Sequence, residues 1–205
     1  GNEKGLSYEL IKYALDNKIN VITANKALLA NYGNELFSLA DNNNVRLLFE
    51  GAVCGGIPII KTIKESLIGN NFLKISGILN GTTNYILSNM TNKNISFEEA
   101  LNDAKNNGYV ESNPDLDIEG IDSAHKLSII SSLCFGSKFI EFNTIYKEGI
   151  SKIEKIDIYF ANKLNFVIKL LCIFSSIHKI FPLPHRCRHL KQNKKHLHQN
   201  ATHVQ

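Results

Sequence analysis

The chain of 205 residues is predicted to adopt an α/β fold. Two observations support this class. Short apolar runs of strand character alternate along the chain with longer segments whose apolar residues recur at helical spacing. Gly, Pro and capping residues stand at the boundaries between these segments. Such alternation favours a sheet covered by helices over a helix bundle or a β-sandwich.

The first part of the chain contains two helix-to-strand steps. The segment LSYELIKYALDNK predicts a helix with Ser7 as a candidate N-cap, and INVITANK predicts a short buried strand. The segments YGNELFSLADNNN and VRLLFE then predict a second helix and a second strand. Pro58 suits the first turn of a third helix.

The second part of the chain continues the alternation. FLKISGILNG predicts a strand and TTNYILSNM a helix. Ser96 and Glu99 have the spacing of a capping box at the start of the next helix, which Gly108 is placed to end. GIDSAHKLSIISSLCFG predicts the longest helix, ending at Gly136.

Composition narrows the class of protein. A hydrophobic content of 43% is sufficient for a buried core. No apolar run reaches the roughly 18 to 20 residues of a membrane span, and the first ten residues resemble no signal peptide, so a cytoplasmic location is expected. The four cysteines show no CxxC spacing, which favours reduced thiols over disulfides.

The charge distribution changes abruptly near the end of the chain. All 19 acidic residues lie at or before Asp157, whereas six of the 7 histidines lie between His178 and His203. This basic segment has little helical or strand periodicity and is predicted to be disordered. Its HRCRH and HLHQ motifs lack zinc-ligand spacing, and its lysines lack interleaved aromatics, so metal or nucleic-acid binding is disfavoured.

The segment NPDLDIEGIDSAHKL concentrates acidic residues ahead of a lysine. Asp122 and Lys126 are four residues apart on a predicted helix, where they form either an ordinary surface ion pair or part of a site. An acidic cluster is costly unless a cation binds there, and a free amino group would meet that requirement. The other acids of the cluster are Glu111, Asp115, Asp117 and Glu119.

Three further motifs are ambiguous when taken alone. Lys26 follows a predicted strand at the end where α/β sheets bind ligands, but an ordinary solvated lysine is the favoured explanation when this residue is taken alone. EGAVCGGIP joins Glu50 to a Gly-rich turn that is either an oxygen-lined ion site or simply a tight turn. NGTTN is either a phosphate nest or a helix start, and neither GxGxxG nor GxxxxGK[ST] occurs.

Taken together, these motifs resemble the homoserine dehydrogenase family. VITANKALLA, FEGAVCGGIPII, GILNGTTNYIL, the segment from SFEEALNDA to SSLCFG, and YKEGI follow one another in that family's order and spacing, from Gly1 to about Leu171. The resemblance implies a partial Rossmann-type dinucleotide-binding domain, then an α/β catalytic domain with a mixed or antiparallel sheet. It implies NADP- or NAD-dependent interconversion of L-homoserine and L-aspartate 4-semialdehyde, a step toward threonine, methionine and isoleucine.

The resemblance also assigns roles to individual residues. Lys126 matches the lysine that moves the proton on the substrate oxygen, and Asp122 matches the acid that holds this lysine. Glu111 matches the acid that binds the substrate amino group, Asp117 a further polar member of the pocket, and Lys26 a lysine near nicotinamide and substrate. The family's monovalent cation site, normally sodium, is matched by Glu50 and the carbonyls of Val53, Gly55 and Ile57.

Three domains are expected from this comparison. They are residues 1–56, the C-terminal part of the dinucleotide-binding domain; 57–171, an incomplete homoserine-binding catalytic domain; and 172–205, an aberrant basic tail, expected to be a divergent, frameshifted or wrongly translated end. Because Gly1 falls inside the family's dinucleotide-binding half, its first strand and Gly-rich turn are expected to be missing and activity of this chain to be low. The intact parent is expected to be a dimer or tetramer. The alternative is a non-catalytic or oligomerising remnant.

Overall fold

The chain forms two compact units. A computed structural model describes residues 5–110, 113–136 and 139–176, and the backbone of 186–193. The first unit comprises Gly1–Ile75, His125–Ile145 and Phe174–Leu183, and the second comprises Ser76–Ala124, Tyr146–Ile173 and Pro184–Gln205. No helix in the described ranges has both the length and the apolarity that crossing a bilayer requires.

The first unit is built on two helix-to-strand steps, as the sequence predicts. Its elements are α1 (Leu6–Asp16), β1 (Val21–Ile22), α2 (Lys26–Asn42), β2 (Leu47–Leu48) and α3 (Ile59–Lys61), which continues as a π-helical turn, Thr62–Ser66. The strands β1 and β2 pair in parallel, with Val21 opposite Leu47. Because α1 and α2 pack together, Leu15, Leu29 and Leu36 are fully buried.

Helix boundaries in the first unit differ from the prediction. Ser7 lies inside α1, and the N-cap is Gly5, whose extended backbone supplies no side-chain cap. The helix α2 begins at Lys26 rather than near Tyr32 because the Asn25 side chain accepts a hydrogen bond from the Leu28 N–H at 3.1 Å. Pro58 is the N-cap of α3 rather than a residue of its first turn.

The remaining elements supply the second sheet and its helices. They are β3 (Lys74–Gly77), α4 (Gly81–Lys93), α5 (Phe97–Asn106), α6 (Asp115–Ile118), α7 (Ile121–Phe135), β4 (Tyr146–Lys147), α8 (Lys155–Lys163), β5 (Phe166–Ser175) and β6 (Arg186–Asn193). The prediction that α7 is the longest helix is wrong, since α7 has 15 residues and α2 has 17. In the second unit, α4 packs against α5, α6 and α8 around buried Ile86, Leu87 and Met90.

The larger sheet is mixed, which is one of the two sheet types that the resemblance implies. Its strand order is β3-β5-β6-β4. The strands β5 and β6 are antiparallel, from Phe166 opposite Asn193 to Ile173 opposite Arg186, whereas β4 and β6 are parallel. Together with the parallel pair of the first unit, this arrangement confirms the α/β class.

The strand β6 lies in the basic segment for which the sequence predicts no regular structure. Its eight residues pair with residues 166–173 of β5 in an antiparallel ladder. Pairing with a strand that is already part of a sheet satisfies backbone groups whatever the side-chain pattern, and periodicity alone does not report such pairing. Residues 177–185 and 194–205, the rest of that predicted tail, lie outside the described part of the chain.

The predicted capping box of α5 is confirmed. The Ser96 hydroxyl accepts a hydrogen bond from the Glu99 N–H at 3.2 Å, and the Glu99 carboxylate accepts one from the Ser96 N–H at 2.7 Å. The left-handed Gly108, at φ +73°, follows the end of the helix, as predicted.

Replacing Ser96 with alanine is expected to lower the free energy of unfolding by about 1 kcal/mol because the Glu99 N–H loses its acceptor. The measurement is chemical denaturation of the whole chain. Ser96→Asp is the matched control, since it retains an acceptor oxygen at the N-cap and is expected to change stability little. Equal losses in the two variants would contradict a capping role.

Candidate active site

Two carboxylates of the predicted acidic cluster are held together by one amide in the second unit. The side-chain amide nitrogen of Asn80, Nδ2, donates to Asp117 Oδ1 at 2.6 Å and to Asp122 Oδ2 at 3.0 Å. Asn80 and Asp122 are buried, at 5% and 7% exposure, whereas Asp117 is half-buried. The sequence prediction that these two acids belong to one cluster therefore agrees with their common hydrogen-bond donor.

Local sequence explains why the acids converge. Asn80 is the N-cap of α4, and its side-chain oxygen Oδ1 accepts from the Thr83 N–H at 2.8 Å, which fixes the plane of the side-chain amide. Asp117 lies on the single turn of α6, and Asp122 lies in the first turn of α7. The link between these helices turns at Gly120, whose φ of +74° favours glycine. The short helix α6 and the first turn of α7 thus place Asp117 and Asp122 next to the same side-chain amide.

Lys126 lies on α7, four residues after Asp122, as the sequence predicts. Positions four apart lie on the same helical face, one turn from each other. Lys126 is half-buried, while the preceding His125 is buried and packs against Phe142 with ring centroids 4.2 Å apart. This part of α7 is therefore anchored by an aromatic contact next to the lysine.

Glu50 caps a helix in the first unit. It begins a short 3-10 turn, Glu50–Ala52. Its two carboxylate oxygens accept from the N–H groups of Ile60 and Lys61 at 3.0 and 2.9 Å, which lie at the start of α3. A carboxylate at a helix start is favourable because it satisfies N–H groups without intrahelical partners. The sequence indicated an ion ligand here and did not predict this capping contact.

The turn that follows Glu50 has an uncommon backbone. Cys54 and Gly55 have successive φ values of +59° and +56°, and the Ile57 N–H donates to the Cys54 carbonyl at 3.1 Å. The Ile57 carbonyl accepts from the Ile59 N–H at 2.8 Å. Each carboxylate or carbonyl oxygen has a second acceptor site, and a set of oxygen donors alone suits a hard cation.

Side-chain metal ligation has no support in the part of the chain that the structure describes. No group of three or more His, Cys, Asp or Glu side chains there is arranged to hold a metal ion. A cation at this turn would consequently depend mainly on backbone carbonyls, which are the ligands that the sequence comparison implies for Val53, Gly55 and Ile57.

The electrostatic environment of Cys54 includes two of the predicted site residues. Burial is the main cause that raises the pKa of this thiol above its ordinary value. The positive charge of Lys126 acts in the opposite direction, and the negative charge of Glu50 raises the pKa further. Lys126 and Glu50 therefore both lie within electrostatic range of the Gly-rich turn. A raised pKa also disfavours the thiolate form that nucleophilic chemistry requires.

Two further predicted site residues are Lys26 and Glu111. Lys26 is the first residue of α2 and is half-buried, at the carboxyl end of β1 as expected. Glu111, expected to bind the substrate amino group, lies outside the described residues. Of the other predicted site residues, Asp117 and Asp122 bind the Asn80 amide. Glu50, Val53, Gly55 and Ile57 belong to the Gly-rich turn.

Asn80 was missed as a member of the site. The motif NGTTN was interpreted as a phosphate nest or a helix start, and it is a helix start. An Asn before a Gly-Thr-Thr helical run is an N-cap signal that was available in the sequence. Its bonds to residues 37 and 42 positions away were not available, because local patterns carry no information about such contacts.

Comparison with known proteins is consistent with these features. Residues 58–204 match the family model described as homoserine dehydrogenase, and residues 6–50 match the model described as the homoserine dehydrogenase NAD-binding domain. The first match extends well beyond Leu171, where the sequence comparison placed the end of the resemblance. The NAD-binding match agrees with the predicted nucleotide-binding segment.

Individual relatives show the same similarity. The chain is 48% identical over 167 residues to a homoserine dehydrogenase of Neisseria gonorrhoeae, covering 82% of this chain and 38% of that protein. A Thiobacillus denitrificans homoserine dehydrogenase structure matches with TM-score 0.81 and 45% identity, covering 84% of this chain and 40% of that one. A hyperthermophilic archaeal homoserine dehydrogenase in complex with NADPH matches with TM-score 0.71 and 29% identity, covering 90% and 51%.

The chain spans about two fifths of the length of the curated relatives it matches, at 38% of the N. gonorrhoeae protein. The family model covers 147 residues of this chain, from 58 to 204. This matched range includes the mixed sheet and the start of α7, where Asp122 lies. This chain therefore belongs to the homoserine dehydrogenase family.

Proposed function

We propose that this chain carries the substrate-binding and proton-transfer part of an NAD(P)-dependent homoserine dehydrogenase. The observation that carries the proposal is the acid pair Asp117 and Asp122, joined by one amide, with Lys126 one helical turn after Asp122. A paired negative charge suits a substrate ammonium, and a lysine suits an oxygen that gains or loses a proton.

The residues divide the chemistry between them. The nicotinamide cofactor supplies hydride transfer when bound. Lys126 Nζ takes the proton from the substrate hydroxyl in the oxidation, and returns it in the reduction. Asp122 orients the Lys126 side chain, while Glu111 and Asp117 receive the substrate amino group. Lys26 lies beside substrate and nicotinamide. Each step leaves the proton on a named group, as general acid/base catalysis requires.

Direct binding tests the substrate assignment without a cofactor. In ¹⁵N NMR spectra of the chain, L-homoserine is expected to shift the amide resonances of Asp117, Asp122 and Lys126 in a saturable manner. The matched control is 4-hydroxybutyrate, which lacks the amino group and is expected to produce much smaller shifts because it offers the acids no cation. Equal shifts with both compounds would contradict recognition of the amino group.

The Gly-rich turn is proposed to hold a monovalent cation, sodium in particular. Glu50 and the carbonyls of Val53, Gly55 and Ile57 supply its oxygen ligands. Support comes from the oxygen-only donor set and from the left-handed Cys54 and Gly55, which turn the backbone on itself.

Sodium is expected to raise the melting temperature of the chain relative to choline at equal ionic strength, because a ligand that binds only the folded state stabilises it. Glu50→Gln, which removes the charge and keeps the shape, is expected to reduce this difference. Glu65→Gln is the matched control, as Glu65 is an exposed acid in a surface ion pair with Lys61. A sodium effect unchanged by Glu50→Gln would contradict the proposed ligand.

The intact parent is proposed to be a cytoplasmic homo-oligomer, a dimer or tetramer, that acts in the synthesis of threonine, methionine and isoleucine. The domain limits at residues 56 and 171, and low activity of the chain by itself, remain predictions.

A further inference from the structure

Asn80 uses every hydrogen-bonding position of its side-chain amide. Its oxygen accepts from the Thr83 N–H at 2.8 Å and from the Thr83 hydroxyl at 3.0 Å. Its side-chain nitrogen Nδ2 donates to Asp117 at 2.6 Å and to Asp122 at 3.0 Å. Both amide protons thus end on carboxylates, in a residue that is 5% exposed.

Capping explains only the oxygen of this side chain. An N-cap needs an acceptor for the N–H groups of the first turn, and Asp, Ser or Thr supplies one as well as Asn does. The two donors have no part in capping. They contact acids that lie on α6 and α7, far along the chain from α4.

A neutral donor has a particular advantage between two acids. Carboxylates that share a site repel each other, and one of them tends to take up a proton. A lysine or arginine there would relieve the repulsion but would also cancel the charge. The amide satisfies one oxygen of each acid and adds no charge, so the pair keeps its attraction for a cation.

We infer that Asn80 is a positioning residue, which fixes Asp117 and Asp122 as one unit through the two protons of its amide. The inference deepens the proposed function and rests on it for the role of the acids. It adds a residue of the NGTTN motif, on a different helix, to the machinery that places the substrate ammonium and Lys126.

The stability test separates positioning from capping. Asn80→Asp keeps the capping oxygen but loses both donors and adds a third negative charge, so the melting temperature of the chain is expected to fall by about 5 °C or more. Asn25→Asp is the matched control for stability, because Asn25 also caps a helix through its oxygen. It is expected to change the melting temperature little.

Exchanging the amide and the carboxylate between positions 80 and 117 should restore part of the lost melting temperature. The double variant Asn80→Asp with Asp117→Asn restores the net charge and an amide-to-carboxylate bond between positions 80 and 117. It is expected to recover roughly half of the lost melting temperature or more. If Asn80 only caps α4, Asn80→Asp would be as stable as the parent and the exchange would recover nothing, which would overturn the inference.

The kinetic test uses a chimera in which this chain replaces the matching segment of the N. gonorrhoeae enzyme. Asn80→Ser keeps a capping oxygen and adds no charge, and it serves also where Asn80→Asp does not fold. It is expected to lower kcat/KM for homoserine roughly tenfold, because hydrogen bonds to charged groups are lost, while KM for the nicotinamide stays unchanged.

The outcomes distinguish this inference from the proposed function. An active parent chimera whose kcat and KM for homoserine are unaffected by Asn80→Ser would overturn the inference alone. A parent chimera without turnover would overturn the proposed function, and the donor-acceptor exchange would then decide the positioning role by itself.

Discussion

Replacing Lys126 with alanine is expected to lower kcat for homoserine oxidation by roughly 10²-fold or more, with a modest change in KM. The reason is that proton transfer at the substrate oxygen then has no positioned general acid or base. Steady-state kinetics of the N. gonorrhoeae chimera measures the effect. Lys105→Ala is the matched control, because Lys105 is an exposed lysine on α5, and this variant is expected to retain the parent rate.

Two results would contradict this role of Lys126. A near-normal kcat in Lys126→Ala would return Asp122 and Lys126 to the status of an ordinary helical ion pair. Borohydride trapping of an adduct with aspartate semialdehyde on Lys126 would indicate an imine mechanism instead of proton transfer. No adduct is expected.

Glycine 149 is expected to tolerate no side chain. A Cβ at Gly149 would lie 2.7 Å from the Glu119 Cα and 2.7 Å from the Ile118 carbonyl oxygen. Both are backbone atoms, and the Ile118 carbonyl accepts a hydrogen bond from the Ile150 N–H at 2.7 Å. The backbone at Gly149 and the backbone at Ile118 therefore cannot move apart without breaking this hydrogen bond. The lack of space for a Cβ at this contact explains the glycine of YKEGI in packing terms.

Gly149→Ala is therefore expected to lower the free energy of unfolding by about 3 kcal/mol, as overpacking does. The corresponding fall in melting temperature is about 10 °C for a chain of this size. Gly69→Ala is the matched control, since a Cβ there has no atom within 4 Å, and this variant is expected to be near neutral. An unchanged melting temperature in Gly149→Ala would show that the link between α6 and α7 can shift.

Local signals predicted the elements well. The alternation of helix and strand, the capping box at Ser96 and the left-handed turn at Gly108 are all present. Each depends on residues close in sequence, whose preferences are fixed by backbone sterics and short-range hydrogen bonds. The same principle would have identified Asn25 and Asn80 as N-caps, and thus the true starts of α2 and α4.

Contacts between distant segments were beyond such signals. The bonds from Asn80 to the acids, the use of Glu50 as a cap for α3, and the pairing of β6 with β5 each join separate parts of the chain. Tertiary pairing of this kind overrides local propensity and leaves no period in the sequence. The resemblance supplied candidate residues, whereas the hydrogen bonds supply a reason for the placement of Asp117 and Asp122.

The most direct test of the account is the activity of the parent chimera with two substrates. The account predicts saturable reduction of NADP or NAD with L-homoserine, and strongly reduced kcat/KM with 4-hydroxybutyrate, because Glu111 and Asp117 then lack the substrate ammonium that they bind. Absence of turnover with L-homoserine, or equal kcat/KM for the two substrates, would contradict it.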